Sequence, residues 1–237
     1  MQRYFVDKID GDFFTISNDD SYHILKVMRM EIDDKIEVVY NHNEYLCKIV
    51  AIENNVKCKV ISILDEKKRN IPKITIAQSL VKEQKMDYIL QKATELGVDE
   101  IIPICTERSI VKLENKEDKK KERWKKVLKE ASEQSKRVEI PNLESIISLK
   151  ELLNKKYDFK FICSVNEKVK TIKSVLSKVD ISDTILFVIG PEGGLSSQEE
   201  EMLLSNGFEA ISLGSNVLRT ETASSFILSA ISYEFMR

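Results

Sequence analysis

Two glycine-bearing segments carry the residue types in this chain best suited to hold a ligand and act on it. They are Gly190-Pro-Glu-Gly-Gly-Leu-Ser196 and Leu213-Gly-Ser-Asn-Val-Leu-Arg-Thr-Glu-Thr-Ala223. Of seven glycines, five (Gly190, Gly193, Gly194, Gly207 and Gly214) fall within this short stretch. Glycine lets a backbone approach a ligand closely and take up left-handed conformations. Arg219 precedes a helix-like run, where a cation is unfavourable by roughly 0.3–1 kcal/mol, so its placement calls for an anionic partner. A carboxylate, Glu192 or Glu221, is one candidate. The other is a phosphate or an oxyanion developing on a substrate.

Each segment follows an apolar run, Thr184–Ile189 or Ala210–Leu213, and precedes a helix-like pattern. Loops at the C-terminal ends of neighbouring strands are where open α/β sheets place ligands. Ser196 with Glu199 three residues on predicts a capping box that starts a helix directly after the first loop, and Thr220 is read as the cap of the last helix. The pattern is neither GxGxxG nor followed by Gly-Lys-Ser/Thr, so dinucleotide and P-loop readings are weak.

The elements that position these loops fall into two regions. Residues 1–70 read as mostly β, with strand candidates at 4–6, 35–40, 45–52 and 56–64 and one helix from Ser21 to Met30. Close-set short strands suggest a small barrel. The charged run Asp65–Asn70, followed by Pro72, marks the boundary. From Ile74 the pattern becomes strand–helix alternation: strands at 74–78, 100–106, 159–165, 184–189 and 210–213, and helices at 85–96, 118–137, 169–178 and 220–235. Such alternation predicts an α/β domain over 71–237 with a mostly parallel sheet.

The net charge of -2 requires no polyanion partner. Residues 71–140 hold 16 Lys and Arg against 13 Asp and Glu, an excess that a solvated helix explains as well as an RNA face does. The four cysteines form no CxxC pair and the two histidines stand apart from Cys105 and Cys163, so neither a zinc site nor a disulfide framework is expected. No apolar leader or membrane-length run is present, and a cytoplasmic location is expected.

Six segments in order resemble the ribosomal RNA small subunit methyltransferase E family, within the SPOUT class of S-adenosylmethionine-dependent RNA methyltransferases. They are Gln2–Val6, His23–Arg29, Gln91–Val98, Glu130–Arg137 with Pro141, Ile189–Gly194, and Leu213-Gly through Leu218–Ala223. Met28, where leucine is commoner, is a mild departure. The resemblance implies a PUA-like N-terminal β-barrel that binds RNA, and a C-terminal SPOUT domain whose chain threads a trefoil knot. It further implies a homodimer, and methylation of N3 of a uridine in 16S rRNA of the small ribosomal subunit, without a metal or a membrane.

By the same resemblance Ile189, Gly190, Pro191, Gly193, Gly194, Leu213, Gly214, Val217 and Leu218 hold the cofactor, with Thr222 and Ala223 closing the far side. Arg219 is expected to stabilise charge on the uracil carbonyls once N3 loses its proton. Glu221 or Glu192 either accepts that proton or orients Arg219. Arg3, His23 and Arg29 are expected on the RNA-facing side, although a lone His23 is equally an ordinary helix residue. Arg137, at the end of the charged helix, is either an RNA or dimer contact or a favourable dipole placement. Two rivals stay open: a SPOUT enzyme acting on tRNA or a ribose 2′-hydroxyl, and a non-catalytic assembly factor that keeps the fold.

Overall fold

The computed structural model describes residues 1–64, 70–109 and 117–236. Its elements, in chain order, are β1 (Arg3–Phe5), β2 (Ile9–Asp10), β3 (Phe13–Thr15), α1 (Asn18–Tyr22), β4 (Lys35–Tyr40), β5 (Asn43–Ile52), β6 (Val56–Ile63), β7 (Lys73–Ser79), α2 (Glu83–Glu95), β8 (Glu100–Cys105), α3 (Glu117–Gln134), β9 (Asn142–Leu143), β10 (Ile147–Ser148), α4 (Leu149–Leu152), β11 (Phe159–Cys163), α5 (Ile172–Leu176), β12 (Thr184–Ile189), α6 (Ser197–Ser205), β13 (Glu209–Ile211) and α7 (Thr220–Phe235). Contacts divide the chain into one unit of Met1–Lys68 with Ser132–Glu139, and another of Arg69–Ala131 with Ile140–Arg237. The linker read at Asp65–Asn70 falls, apart from Asn70, outside the described residues.

The N-terminal unit is a six-stranded sheet in the order β1-β4-β5-β6-β3-β2. Only the β1–β4 pair is parallel. Alternation along β4 to β6 sends Ile36, Val38, Cys47, Ile49, Val56 and Cys58 into a core with Phe14 and Ile24. The helix expected over Ser21–Met30 differs. Ser17 caps α1 through the Asp20 amide, and the chain then widens into a π-helical turn at His23–Val27. It ends at Arg29, a non-glycine residue with φ 54°. A π turn is a common deviation at functional positions, and 3.6-residue periodicity cannot reveal one. The unforeseen β2 and β3 are too short to show alternation.

The larger unit is a parallel sheet in the order β10-β8-β7-β12-β11-β13, with β9 added beside β8. Successive residues of its strands enter opposite cores. Ile74, Ile76, Ile185, Phe187 and Ile189 face α2, α3, α5 and α7, while Ala77, Ile102, Ile104, Leu186 and Val188 face α4 and α6. Burial on both faces is why these strands read as continuous apolar runs rather than alternating ones. The helix expected at 169–178 shortens to α5 because Thr171 caps it, its side chain accepting from the Ser174 amide.

Candidate functional site

The ends of β11, β12 and β13 open into a cleft of about 580 Å³. That volume suits a small-molecule ligand. Its walls are the end of β11 with the segment after it (Cys163–Lys168), the glycine loop after β12, and the loop between β13 and α7. Apolar residues Ile189, Leu213, Val217, Leu218 and Ala223 alternate with polar and charged ones. A ligand with an apolar part and a charged part fits this lining.

Local sequence explains why the loops hold their shape. The Ser196–Glu199 capping box forms in both directions. It starts α6 at the end of the first loop, and Glu199 Oε1 also accepts from the Glu107 amide at 2.8 Å. Gly190 is required by crowding, since a Cβ there would meet Leu195 N at 3.0 Å and the Gly194 carbonyl carbon at 3.2 Å. Gly214 stands at φ 129°, a region that side chains other than glycine rarely adopt. Arg108, after β8, donates from Nη1 to Gly193 O at 2.8 Å and Leu195 O at 3.3 Å.

Thr220 does not cap α7 with its side chain. Arg219 occupies the cap position, without a side-chain hydrogen bond. The buried Thr220 hydroxyl instead donates to Gly190 O at 2.8 Å and accepts from Gln78 Nε2 at 3.0 Å. One hydroxyl thereby ties the second loop to the first and both to the end of β7.

The carboxylate partners considered for Arg219 are engaged elsewhere. Lys85, on α2, donates to Glu192 Oε1 at 2.8 Å and lies 3.8 Å from Glu221 Oε2. Burial pushes the Glu192 carboxyl up, but the Lys85 hydrogen bond and charge outweigh it and hold Glu192 below the ordinary carboxylate range. Glu221 Oε2 is buried without a hydrogen bond. The Arg219 guanidinium makes no hydrogen bond or ion pair among the described residues and lines the cleft as an exposed cation. Lys85 thus leaves Arg219 available to an incoming anion. Cys163 also lines the cleft, but burial pushes its thiol up to about 12, which keeps it protonated and unsuited to nucleophilic work.

Ile189, Gly190, Pro191, Glu192, Gly193, Gly194, Leu213, Gly214, Val217, Leu218, Arg219 and Ala223 therefore converge on one cleft. Glu221 and Thr222 are not among its lining residues. Thr222 points outward on α7, one residue before the buried Ala223. Residues that sequence reasoning missed are Lys85, Arg108, Gln78 and the Ser164–Lys168 segment. The strand-end rule that found the glycine loops applies equally to Ser164–Lys168, which follows β11. Lys85 and Arg108 show no motif and meet the loops only in three dimensions.

The four basic residues expected to face RNA separate. Arg3 is 4% exposed. Its guanidinium lies 2.9 Å from Glu37 and 2.5 Å from Glu44, and donates to the Lys136 and Arg137 carbonyls at 2.6 and 3.0 Å. It is an internal tie of the N-terminal unit rather than an open cation. Arg137 donates from Nε to Glu139 O at 3.0 Å. His23 Nδ1 lies 3.0 Å from Tyr4 Oη, with the rings edge to face. Arg29 is exposed, with no hydrogen bond or ion pair among the described residues. Among those residues no cluster of His, Cys, Asp and Glu could hold a metal, and no helix is long and apolar enough to cross a membrane.

A family model described as an RNA methyltransferase domain matches residues 67–232, and one described as an RNA methyltransferase PUA domain matches residues 16–62. The chain is 37% identical to ribosomal RNA small subunit methyltransferase E of Bacillus subtilis, over 99% of this chain and 97% of the relative. It superposes with a TM-score of 0.87 and 29% identity on the Neisseria gonorrhoeae enzyme of that name bound to S-adenosyl methionine, covering 99% and 98% of the two chains. A Legionella pneumophila structure, described as a methyltransferase in complex with bound cofactor SAM, gives a TM-score of 0.89 at 30% identity and covers 98% and 97%.

Proposed function

The chain belongs to the ribosomal RNA small subunit methyltransferase E family, and from that membership we propose that it methylates N3 of a uridine in 16S rRNA of the small ribosomal subunit. It is an S-adenosylmethionine-dependent RNA methyltransferase. The observation that carries the reading is the unpaired Arg219 at the rim of a cleft built from two glycine loops.

S-adenosylmethionine, when bound, supplies an electrophilic methyl group. The chain's own task is to position and activate the nucleophile. Ile189, Gly190, Pro191, Gly193, Gly194, Leu213, Gly214, Val217, Leu218 and Ala223 are the residues that would hold the cofactor. Uridine N3 carries a proton at neutral pH, and its loss leaves negative charge on the flanking carbonyl oxygens. Arg219 stabilises that charge, a role worth on the order of 10²–10³ in rate. The proton passes to Glu192 or Glu221. Glu192 lines the cleft and is held as the anion by Lys85, whereas Glu221, outside the cleft lining, lies 3.8 Å from the same lysine with no hydrogen bond on Oε2. Because N3 lies on the pairing edge, the uridine is taken out of any helix before reaction.

Two further assignments belong to this reading. The chain passes from central β12 out to edge strand β13 and back to Gly190 at Thr220, a path compatible with a trefoil knot. The protein acts in the cytoplasm as a homodimer. Thr222, Phe226, Ser229 and Tyr233 form one exposed stripe along α7, where Phe226 is 40% and Tyr233 79% exposed, and a second copy would cover it. Calorimetric titration with S-adenosylmethionine tests the reading. One site per chain is expected, and absence of binding would favour an assembly factor without activity.

A further inference from the structure

The first glycine loop is fixed at its peptide groups. In the Gly193–Gly194 peptide the carbonyl accepts from Arg108 Nη1 at 2.8 Å, and the amide donates to Pro191 O at 2.9 Å. In the Leu195–Ser196 peptide the carbonyl accepts from the same nitrogen at 3.3 Å, and the amide donates to Glu199 Oε2 at 2.9 Å. Gly194, between them, stands at φ 70°, in the left-handed region. Neither peptide plane can turn without giving up hydrogen bonds at both ends.

The donor side is built as carefully. Arg108 sits on a turn after β8, where the Ser109 amide donates to Thr106 O at 3.0 Å and the Thr106 and Ser109 hydroxyls meet at 2.8 Å. The neighbouring Glu107 amide donates to Glu199 Oε1 at 2.8 Å, while Oε2 of that carboxylate serves Ser196. Turn and loop thus exchange hydrogen bonds in both directions. A Cβ added at Gly193 would lie 3.4 Å from Arg108 Cδ, so the arginine stem runs along the loop. Arg108 is exposed, and both of its hydrogen bonds go to loop carbonyls. A charged donor strengthens such bonds. An exposed side chain adds little to overall stability, so the effect of these bonds falls on the shape of the loop. Gly190, Glu192, Gly193, Gly194 and Leu195 of that loop line the cleft. A wall set in the bound shape beforehand lowers the cost of binding.

We propose that Arg108 is a positioning residue for cofactor binding, acting through the Gly193 and Leu195 carbonyls to hold the first loop in the shape that S-adenosylmethionine enters. The proposal rests on the cofactor reading of the cleft given above. Coupling between two sites is reciprocal, so bound cofactor in turn tightens the Thr106–Ser109 turn.

The test uses the full chain with Arg108→Met, which keeps an apolar stem and removes every donor, and with Arg108→Lys. One nitrogen serves both carbonyls, so a lysine can replace part of the contact. In calorimetric titration, Arg108→Met should weaken S-adenosylmethionine binding by about five- to tenfold, and Arg108→Lys should recover part of the loss. The melting temperature of the unliganded protein should stay at the wild-type value in both. The same loss is expected for 5′-methylthioadenosine, which lacks the amino-acid part of the cofactor. Hydrogen exchange at the Glu107 and Ser109 amides should slow on saturation with S-adenosylmethionine in wild type, and not in Arg108→Met. Equal affinity in Arg108→Met and wild type overturns the proposal. So does a loss seen with S-adenosylmethionine but not with 5′-methylthioadenosine, which would make Arg108 a direct ligand of the cofactor carboxylate. A melting temperature lowered equally in both variants, with affinity falling alongside and no recovery by lysine, would make the arginine merely structural and overturns it too. If wild type itself binds no S-adenosylmethionine, the cofactor reading falls with the proposal; if wild type binds and the variants bind equally well, the proposal alone falls.

Discussion

Replacing Thr220 by valine removes one hydroxyl at nearly constant volume. That hydroxyl gives Gly190 O a hydrogen bond of 2.8 Å and receives one of 3.0 Å from Gln78 Nε2. Gln78 keeps a second acceptor, since Nε2 also donates to Ser79 O at 3.1 Å. The main loss therefore falls on the Gly190 carbonyl, left beside a methyl group at a part-buried position. An unsatisfied buried acceptor costs about 1–3 kcal/mol. Taking about 2 kcal/mol, the melting temperature should fall by roughly 4–8 °C for a chain of this size. The two cofactor loops would also be uncoupled. If most of that energy holds them in the binding geometry, S-adenosylmethionine affinity should fall about tenfold, at 1.4 kcal/mol per decade. Thr220→Ser keeps the hydroxyl and should restore affinity. Calorimetric titration and thermal unfolding of both variants measure these effects. If Thr220→Val binds the cofactor as tightly as wild type, the hydroxyl does not hold the site and the reasoning fails.

Arg219→Ala should lower kcat by about 10²–10³ while cofactor affinity changes little, because the arginine is assigned to charge developing on the base; single-turnover methyl transfer separates the two. Gly190→Ala should weaken cofactor binding by about tenfold or more in the same titration, since the new Cβ meets Leu195 N at 3.0 Å and backbone there cannot move aside freely. A pH effect is expected in the N-terminal unit. Burial pushes Glu37 up, but hydrogen bonds from Lys136 and Arg3 outweigh it and depress its folded value. The resulting stabilisation is complete above the ordinary carboxylate value of about 4.3 and is lost as pH falls toward and through the lower folded value. Urea midpoints across that range should decline less steeply in Glu37→Gln than in wild type.

The C-terminal unit was largely legible because its strands are buried on both faces and α4, α5 and α6 are capped by their own sequence. β12 and α7 have the bounds their patterns suggest, and Ser196 with Glu199 forms the expected box. The glycine loops stood out because crowding and left-handed backbone leave a compositional trace. The partners of those loops left none. Lys85 and Arg108 reach the first loop across 107 and 85 residues, and a one-dimensional pattern does not show which lysine or arginine will do so. Arg3 misled for a related reason. Its type suits RNA, but its neighbours Glu37 and Glu44 arrive through strand pairing rather than sequence proximity. The π turn at His23–Val27 was hidden because it differs from an α-helix by one added residue.

The most direct measurement is methyl transfer from labelled S-adenosylmethionine to small ribosomal subunits from cells lacking this protein, followed by nucleoside analysis. The account predicts a single labelled nucleoside, N3-methyluridine, on the subunits and none on tRNA. Label on a ribose or on tRNA would contradict the assigned substrate, and absence of any transfer with the cofactor bound would contradict the enzymatic role of Arg219 and its cleft.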